Sequence, residues 1–202
     1  IGTTNLLNTR MWIPGTTGNQ GRFTELKTSS TAQNFVTLKS GPNNKVEPVW
    51  TARSASAAVN IANDINGGFE YIINDVDDRY NPKQSYRFSI YVKQDDDNGN
   101  INFGCDETVN YLNNTQVVNP FFLENFSLPQ SDKWYLLVGI IYGHTYNGPS
   151  EDISGIYDPE TGTKIIDGND FKARAGSDFQ KIKIYRENVT ISSSSIYIAR
   201  PR

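Results

Sequence analysis

Ser85-Tyr-Arg-Phe-Ser-Ile-Tyr-Val-Lys-Gln94 decides the fold class. Its alternation puts Tyr86, Phe88, Ile90 and Val92 on one side and Arg87, Ser89, Tyr91 and Lys93 on the other, the signature of a β-strand with one face in a core. Similar runs recur along the chain: Asn5–Leu7, Arg22–Lys27, Asn34–Lys39, Val46–Ala52, Phe69–Ile73, Asn100–Cys105, Trp134–Tyr142, Gly155–Tyr157, Lys181–Arg186 and Ser195–Arg200. Turn chemistry separates them, as in Gly41-Pro42-Asn43, Asn66-Gly67-Gly68, Asn81-Pro82, Asn98-Gly99, Asn147-Gly148-Pro149, Asp158-Pro-Glu-Thr-Gly162 and Asp167-Gly168-Asn169. Only the Ala-rich Ser54–Asn63 stretch reads as a helical turn. The expectation is an all-β, two-sheet antiparallel jelly-roll sandwich occupying residues 1–202 as one domain excised from a longer chain.

Trp134-Tyr-Leu-Leu-Val-Gly-Ile-Ile-Tyr142 departs from the pattern, because both of its faces are apolar. Such a strand is central, with its second face covered as well. The sequence points inward with Trp134, Leu136 and Val138, and offers Phe121–Phe126 as a lid over the other side. The remaining inward set is Tyr86, Phe88, Ile90, Val92, Ile182, Ile184, Ile196 and Ile198.

Composition excludes several classes. The net charge of -3 comes with interleaved acidic and basic residues, so no cationic stripe awaits a phosphate backbone and no nucleic acid is expected as partner. A single cysteine, Cys105, cannot form an internal disulfide or a multi-cysteine zinc site and reads as a small buried hydrophobe. Apolar runs fall short of the ~20 residues needed to cross a bilayer, so no membrane insertion is expected.

Catalysis finds weak support. The one histidine, His144, follows the central strand in Tyr142-Gly-His-Thr-Tyr146, and no Gly-x-Ser-x-Gly elbow accompanies it. The expectation is therefore a protein that is not an enzyme. Asp95–Asn100 superficially resembles a calcium loop, but alignment on Gly99 puts Cys105 where a bidentate glutamate belongs, so it reads as a hairpin turn. Asn74-Asp-Val-Asp-Asp78 is the better oxygen-rich cluster, and Asp75, Asp77 and Asp78 are the candidate ligands of a structural Ca2+.

Three Trp, eleven Tyr and ten Phe are more than one core requires. Sugar rings stack their C–H faces on aromatic rings, while their hydroxyls seek planar polar partners. The candidate carbohydrate-binding residues are Trp12, Trp50, Arg53, Tyr142, His144, Tyr146 and Asn147. Three Asn-x-Ser/Thr sequons, at Asn113, Asn125 and Asn188, complete the inventory.

Several of these stretches together resemble a known module: Asn5-Leu-Leu-Asn8, Gly67-Gly-Phe69, Tyr86-Arg-Phe-Ser-Ile-Tyr-Val-Lys93, Asn102-Phe-Gly-Cys105, Asn119-Pro-Phe-Phe122, Lys133-Trp-Tyr-Leu-Leu-Val-Gly139 and Tyr197-Ile-Ala-Arg-Pro-Arg202. They resemble the jelly-roll domain of phage tail-fibre and tail-tip proteins and of large secreted bacterial surface proteins. More loosely, they are similar to carbohydrate-binding modules that open with Asn-Leu-Leu. The resemblance implies a non-catalytic glycan-recognising module, extracellular, on a bacterial surface or on a virion. A homotrimeric fibre or neighbouring domains of a longer chain are the implied partners. Two rivals remain, a purely structural fibre module and an alginate-lyase-like polysaccharide lyase, the latter echoed by Lys172–Gln180.

Overall fold

The computed structural model describes residues 7, 9–27, 33–53, 65–74, 80–97, 99–106, 108–187, 189 and 194–202. Fourteen strands are present among them: β1 (Phe23–Glu25), β2 (Asn34–Ser40), β3 (Val46–Arg53), β4 (Ile65–Asn74), β5 (Tyr86–Gln94), β6 (Asn100–Cys105), β7 (Val109–Asn110), β8 (Phe121–Phe126), β9 (Tyr135–Tyr142), β10 (Gly155–Tyr157), β11 (Lys164–Asp167), β12 (Phe171–Ala173), β13 (Phe179–Glu187) and β14 (Ser195–Ala199). The described residues hold one complete 3₁₀ turn, Thr9–Met11, and Gln33 before β2 is also in 3₁₀ conformation. Ser54–Asn63 lies outside the described residues.

Two sheets pack into a jelly-roll-like β-sandwich. The smaller has the order β1-β4-β13-β6-β8, and the larger runs β11-β10-β9-β5-β14-β3-β2, with β12 and β7 attached beyond β9. Pairing is antiparallel except where β12 joins β9 in parallel. One apolar core lies between the sheets. It takes Phe88, Ile90 and Val92 from β5, Ile196 and Ile198 from β14, Ile182 and Ile184 from β13, and Phe69, Tyr71 and Ile73 from β4, with Tyr86 packed against its edge. These positions alternate along their strands because a pleated backbone sends successive side chains to opposite faces.

Two expectations are corrected. On β9 it is Tyr135, Leu137 and Ile141 that enter the core, so the parity is opposite to the one expected: Leu136 and Val138 face outward, and Trp134, just before the strand, is half-buried outside the core. Gly139 shares the inward parity and has no side chain because a Cβ there would lie 2.4 Å from a ring carbon of Phe122. Phe121–Phe126 is β8 of the opposite sheet, paired with β6, and not a lid. Phe122 fills the centre of the sandwich against Phe88, Phe103 and Phe171.

The second face of β9 is covered by the chain itself. Tyr142 and Tyr157 are outward residues of β9 and β10. The Tyr142 hydroxyl accepts from Glu151 N at 3.1 Å, and the Tyr157 hydroxyl donates to Ile153 O at 2.6 Å. The 143–154 segment is thereby drawn over Val138 and Ile140, both buried.

Candidate functional site

The two tryptophans expected at a ligand surface are core residues. Trp12 is 3% exposed and Trp50 0%, and both belong to an aromatic knot with Phe23 and Phe69, ring centroids 5.1–5.9 Å apart. Burial of such large rings is worth several kcal/mol of apolar transfer, which explains why they are inside. Trp50 Nε1 donates to Asn34 Oδ1 at 3.0 Å, so its one polar atom is satisfied there. Neither ring offers a face to a sugar, which corrects the sequence expectation.

Tyr142, His144, Tyr146 and Asn147 do come together at the end of β9. Tyr142 is itself buried, so it is a support and not a platform, a second correction. Its ring lies flat on Tyr146, with centroids 4.2 Å apart and an interplanar angle of 9°. Its hydroxyl donates to Asp170 Oδ2 at 3.3 Å. Burial first, then the nearby carboxylates of Asp170 and Glu151, push its pKa up to about 12, so it stays a neutral donor. Tyr146 and His144 are half-buried and Asn147 is exposed. His144 N donates to Pro82 O at 2.8 Å, the Tyr146 hydroxyl donates to Pro149 O at 2.7 Å, and the buried Lys172 ammonium donates to Tyr146 O at 2.9 Å.

Asp170 anchors this loop. It is 9% exposed and accepts from the Ser150 hydroxyl at 2.6 Å and from Ser154 N at 2.9 Å. Burial alone would raise its pKa, but the donors from Ser150, Ser154 and Ile153 outweigh it and hold the carboxyl below its ordinary value. Sequence reading missed Asp170, since one aspartate after Gly168-Asn169 carries no motif.

A second surface was also missed. With β5 register-paired to β9 and β14, and β14 to β3, the outward positions of the larger sheet form rows. Lys93 sits opposite Tyr197, Tyr197 opposite Thr51, and Thr51 opposite Phe35. Tyr157 sits opposite Leu136, Leu136 opposite Tyr91, and Tyr91 opposite Ala199. Phe35, Tyr91, Tyr157 and Tyr197 are all half-buried on this outer face. Arg53, expected at the site, belongs here, exposed, with its guanidinium 4.7 Å from the Phe35 ring centroid. The available signal was the polar side of the 85–94 alternation, Arg87-x-Ser89-x-Tyr91-x-Lys93.

Asp75, Asp77 and Asp78 lie outside the described residues. Among the described residues no group of three His, Cys, Asp or Glu side chains is arranged to hold a metal ion. No helix among them is long and apolar enough to cross a membrane.

No protein-family model matches the sequence, and no characterised protein matches it by sequence. Solved structures do resemble the fold. A protein of Bacteroides thetaiotaomicron, provisionally described as sugar-binding, superposes with a TM-score of 0.51 at 12% identity over 98% of both chains. An arabinose-bound α-L-arabinofuranosidase gives 0.45 at 9% identity over 96% of this chain and 25% of the enzyme. The first establishes a shared fold along the full chain, and the second is too distant to carry an argument.

Proposed function

We propose that this chain is a non-catalytic carbohydrate-recognition module of an extracellular, bacterial-surface or virion protein. The observation that carries the reading is the set of half-buried rings Phe35, Tyr91, Tyr157 and Tyr197 on one outer sheet face, interleaved with polar and cationic side chains. An ordinary solvated sheet face alternates toward small and charged residues, and large apolar surface left facing water marks an interaction site. Rings with a polar rim suit sugars, which present apolar C–H patches and hydroxyls together. The full-length likeness to a protein described as sugar-binding is in keeping with this reading.

The loop at the end of β9 adds Tyr146, with His144 and Asn147 beside it, as a second contact point. Tyr142 is six residues beyond Leu136 on the same strand side, so the two clusters are about 20 Å apart at ~3.3 Å per residue. That separation suits an extended polysaccharide better than a single sugar. Single sites of this kind bind weakly, and several copies on one fibre would hold a cell by avidity.

A glycan array probed with a multivalent form of the chain tests the reading. Binding that Tyr91→Ala or Tyr197→Ala weakens, with unchanged melting temperature, supports it. A blank array together with blank cell binding removes it in favour of a structural fibre module.

Calcium binding by Asp75, Asp77 and Asp78 belongs to the same proposal. Saturating calcium should raise the melting temperature by mass action, and chelator should reverse the rise. An unchanged melting curve removes the metal.

A further inference from the structure

The two surfaces of the sandwich differ in charge, and the difference points to a class of ligand. Resting on the glycan-binding reading above, we propose that the outer face of the larger sheet binds a polysaccharide carrying carboxylates, a uronate-containing chain. It does so through Lys39, Lys93 and Arg53 placed over the rings of Tyr197 and Phe35.

The whole chain is acidic, with a net charge of -3. Yet the outward strand positions of this face carry Lys39 on β2, Arg53 on β3, Arg87 and Lys93 on β5 and Lys164 on β11, against Glu47 and Asp167, the latter met by Lys164 at 3.1 Å. Glu47 is itself engaged, since Arg200 Nε donates to its Oε2 at 2.8 Å. Cations have therefore been gathered on one face of an acidic molecule, which attracts and orients anions there.

Their placement is specific. The Lys39 and Lys93 ammonium groups converge on one ring, 4.3 Å and 5.4 Å from the Tyr197 centroid. Two like charges above one ring repel, and an anion entering between them relieves the repulsion. Lys39 has no ion-pair partner among the described residues. Lys93 already meets one carboxylate, Asp132 Oδ1 at 3.3 Å, whose side chain is 76% exposed, so the site accepts that chemistry on its solvent side. Both lysine stems are long and rotatable, so the heads can swing from the ring to a ligand carboxylate while the ring takes the C–H face of the same sugar.

The geometry favours carboxylates over denser anions. Lys93, Tyr197, Thr51 and Phe35 form one row across four strands, about 14 Å long at ~4.8 Å per strand. Lys39 and Lys93 meet at the Tyr197 ring of β14 and Arg53 stands over Phe35 of β2, two strands away, so the cationic points are spaced along the row as charges on separate sugars are, and not gathered for several sulfates on one ring.

Affinity electrophoresis of the full chain in gels cast with polygalacturonate, alginate, fully methyl-esterified pectin, dextran sulfate or neutral glucans tests this. The expected result is retardation by polygalacturonate or alginate, abolished by salt, with little effect of the esterified form. Lys39→Gln with Lys93→Gln should weaken it about tenfold, the factor that 1.4 kcal/mol represents. These are surface positions, so the variant should melt with the wild-type protein. Equal retardation by free and esterified pectin, unaffected by the lysine variant, overturns this inference and leaves glycan recognition standing. Dextran sulfate binding as well as the uronans overturns the carboxylate assignment. Silence with every glycan, neutral ones included, overturns both.

Discussion

The outer faces of the two sheets are built on the same core and differ in what they present. On the smaller sheet the outward strand positions carry Lys181, Lys183 and Glu187 of β13, Glu70 of β4 and exposed Glu124 of β8. Lys181 lies 3.3 Å from Glu70 and 3.7 Å from Asp106, so its charge is met locally. Tyr185, on the same face, has its pKa pushed up to about 12 by burial first and by Glu187 and Glu124 after it. On the larger sheet Lys39, Lys93 and Arg53 stand over rings, and the outward strand acids Glu47 and Asp167 are each met by a cation, Arg200 and Lys164. One face is internally balanced, and the other carries more cations than acids along its rings, with Asp132 at Lys93 and Asp95 at the Tyr197 hydroxyl as the carboxylates beside them. A balanced face needs no partner, whereas the second is arranged for one.

The largest expected effect separates rings inside the sandwich from rings on its face. Trp50→Ala removes a fully buried ring that contacts Trp12 and Phe69, and leaves Asn34 Oδ1 without its indole donor. A loss of about 3–5 kcal/mol in denaturant unfolding is expected. Tyr91→Ala should cost under about 1 kcal/mol, because its ring is only half-buried. Similar costs for the two would break the distinction between core and face.

How far the sequence reveals this is instructive strand by strand. Alternation over 85–94, 181–186 and 195–200 places β5, β13 and β14 within two residues of their ends and identifies their inward side chains. Those strands each have one face in the core, so period two is written directly into the residues. β9 has both faces covered, and its parity is settled by packing partners far away in sequence, Phe122 against Gly139 and Glu151 against Tyr142. β8 is not legible, because bulges at Ile101–Phe103 and Phe103–Gly104 of its partner disturb the register and Asn125 has a positive φ of 49°. The candidate surfaces were half legible for a related reason. Arg53, Tyr146, His144 and Asn147 sit where loop and edge chemistry suggests, but the choice between a core and a surface aromatic depends on the opposite sheet. Trp12 and Trp50 look like ideal sugar platforms in sequence and are both buried in the core.

A middle-sized effect concerns the segment held over the larger sheet. Asp170→Asn removes the charge and turns one of the two acceptor oxygens into an NH2 donor, so the side chain can no longer accept from both the Ser150 hydroxyl and Ser154 N, and a loss of about 1.5–3 kcal/mol is expected for hydrogen bonds to a charged group. Its pKa is lowered in the folded protein from an ordinary value of 3.8. The carboxylate therefore contributes fully above that pH, and the contribution fades as pH falls through the lower folded value. Wild-type stability should drop more steeply than that of the Asn variant below about pH 4. Parallel pH profiles would show that Asp170 does not hold the segment as an anion.

The smallest expected effect is the control for the charge comparison. Lys181→Ala breaks a partly exposed ion pair with Glu70 and Asp106, and such pairs contribute about 0–1 kcal/mol. Its removal should leave stability within that range and leave glycan binding unchanged, while the chain becomes one unit more acidic. Lys93→Ala changes the net charge by the same amount on the other face. If binding depended only on overall charge, the two variants would weaken it equally, because long-range attraction depends on the sum and is screened within ~8 Å at physiological salt. If the larger sheet supplies the contacts, only Lys93→Ala weakens it. Equal loss in the two variants, measured in the same gels, would reduce the difference between the faces to bulk electrostatics.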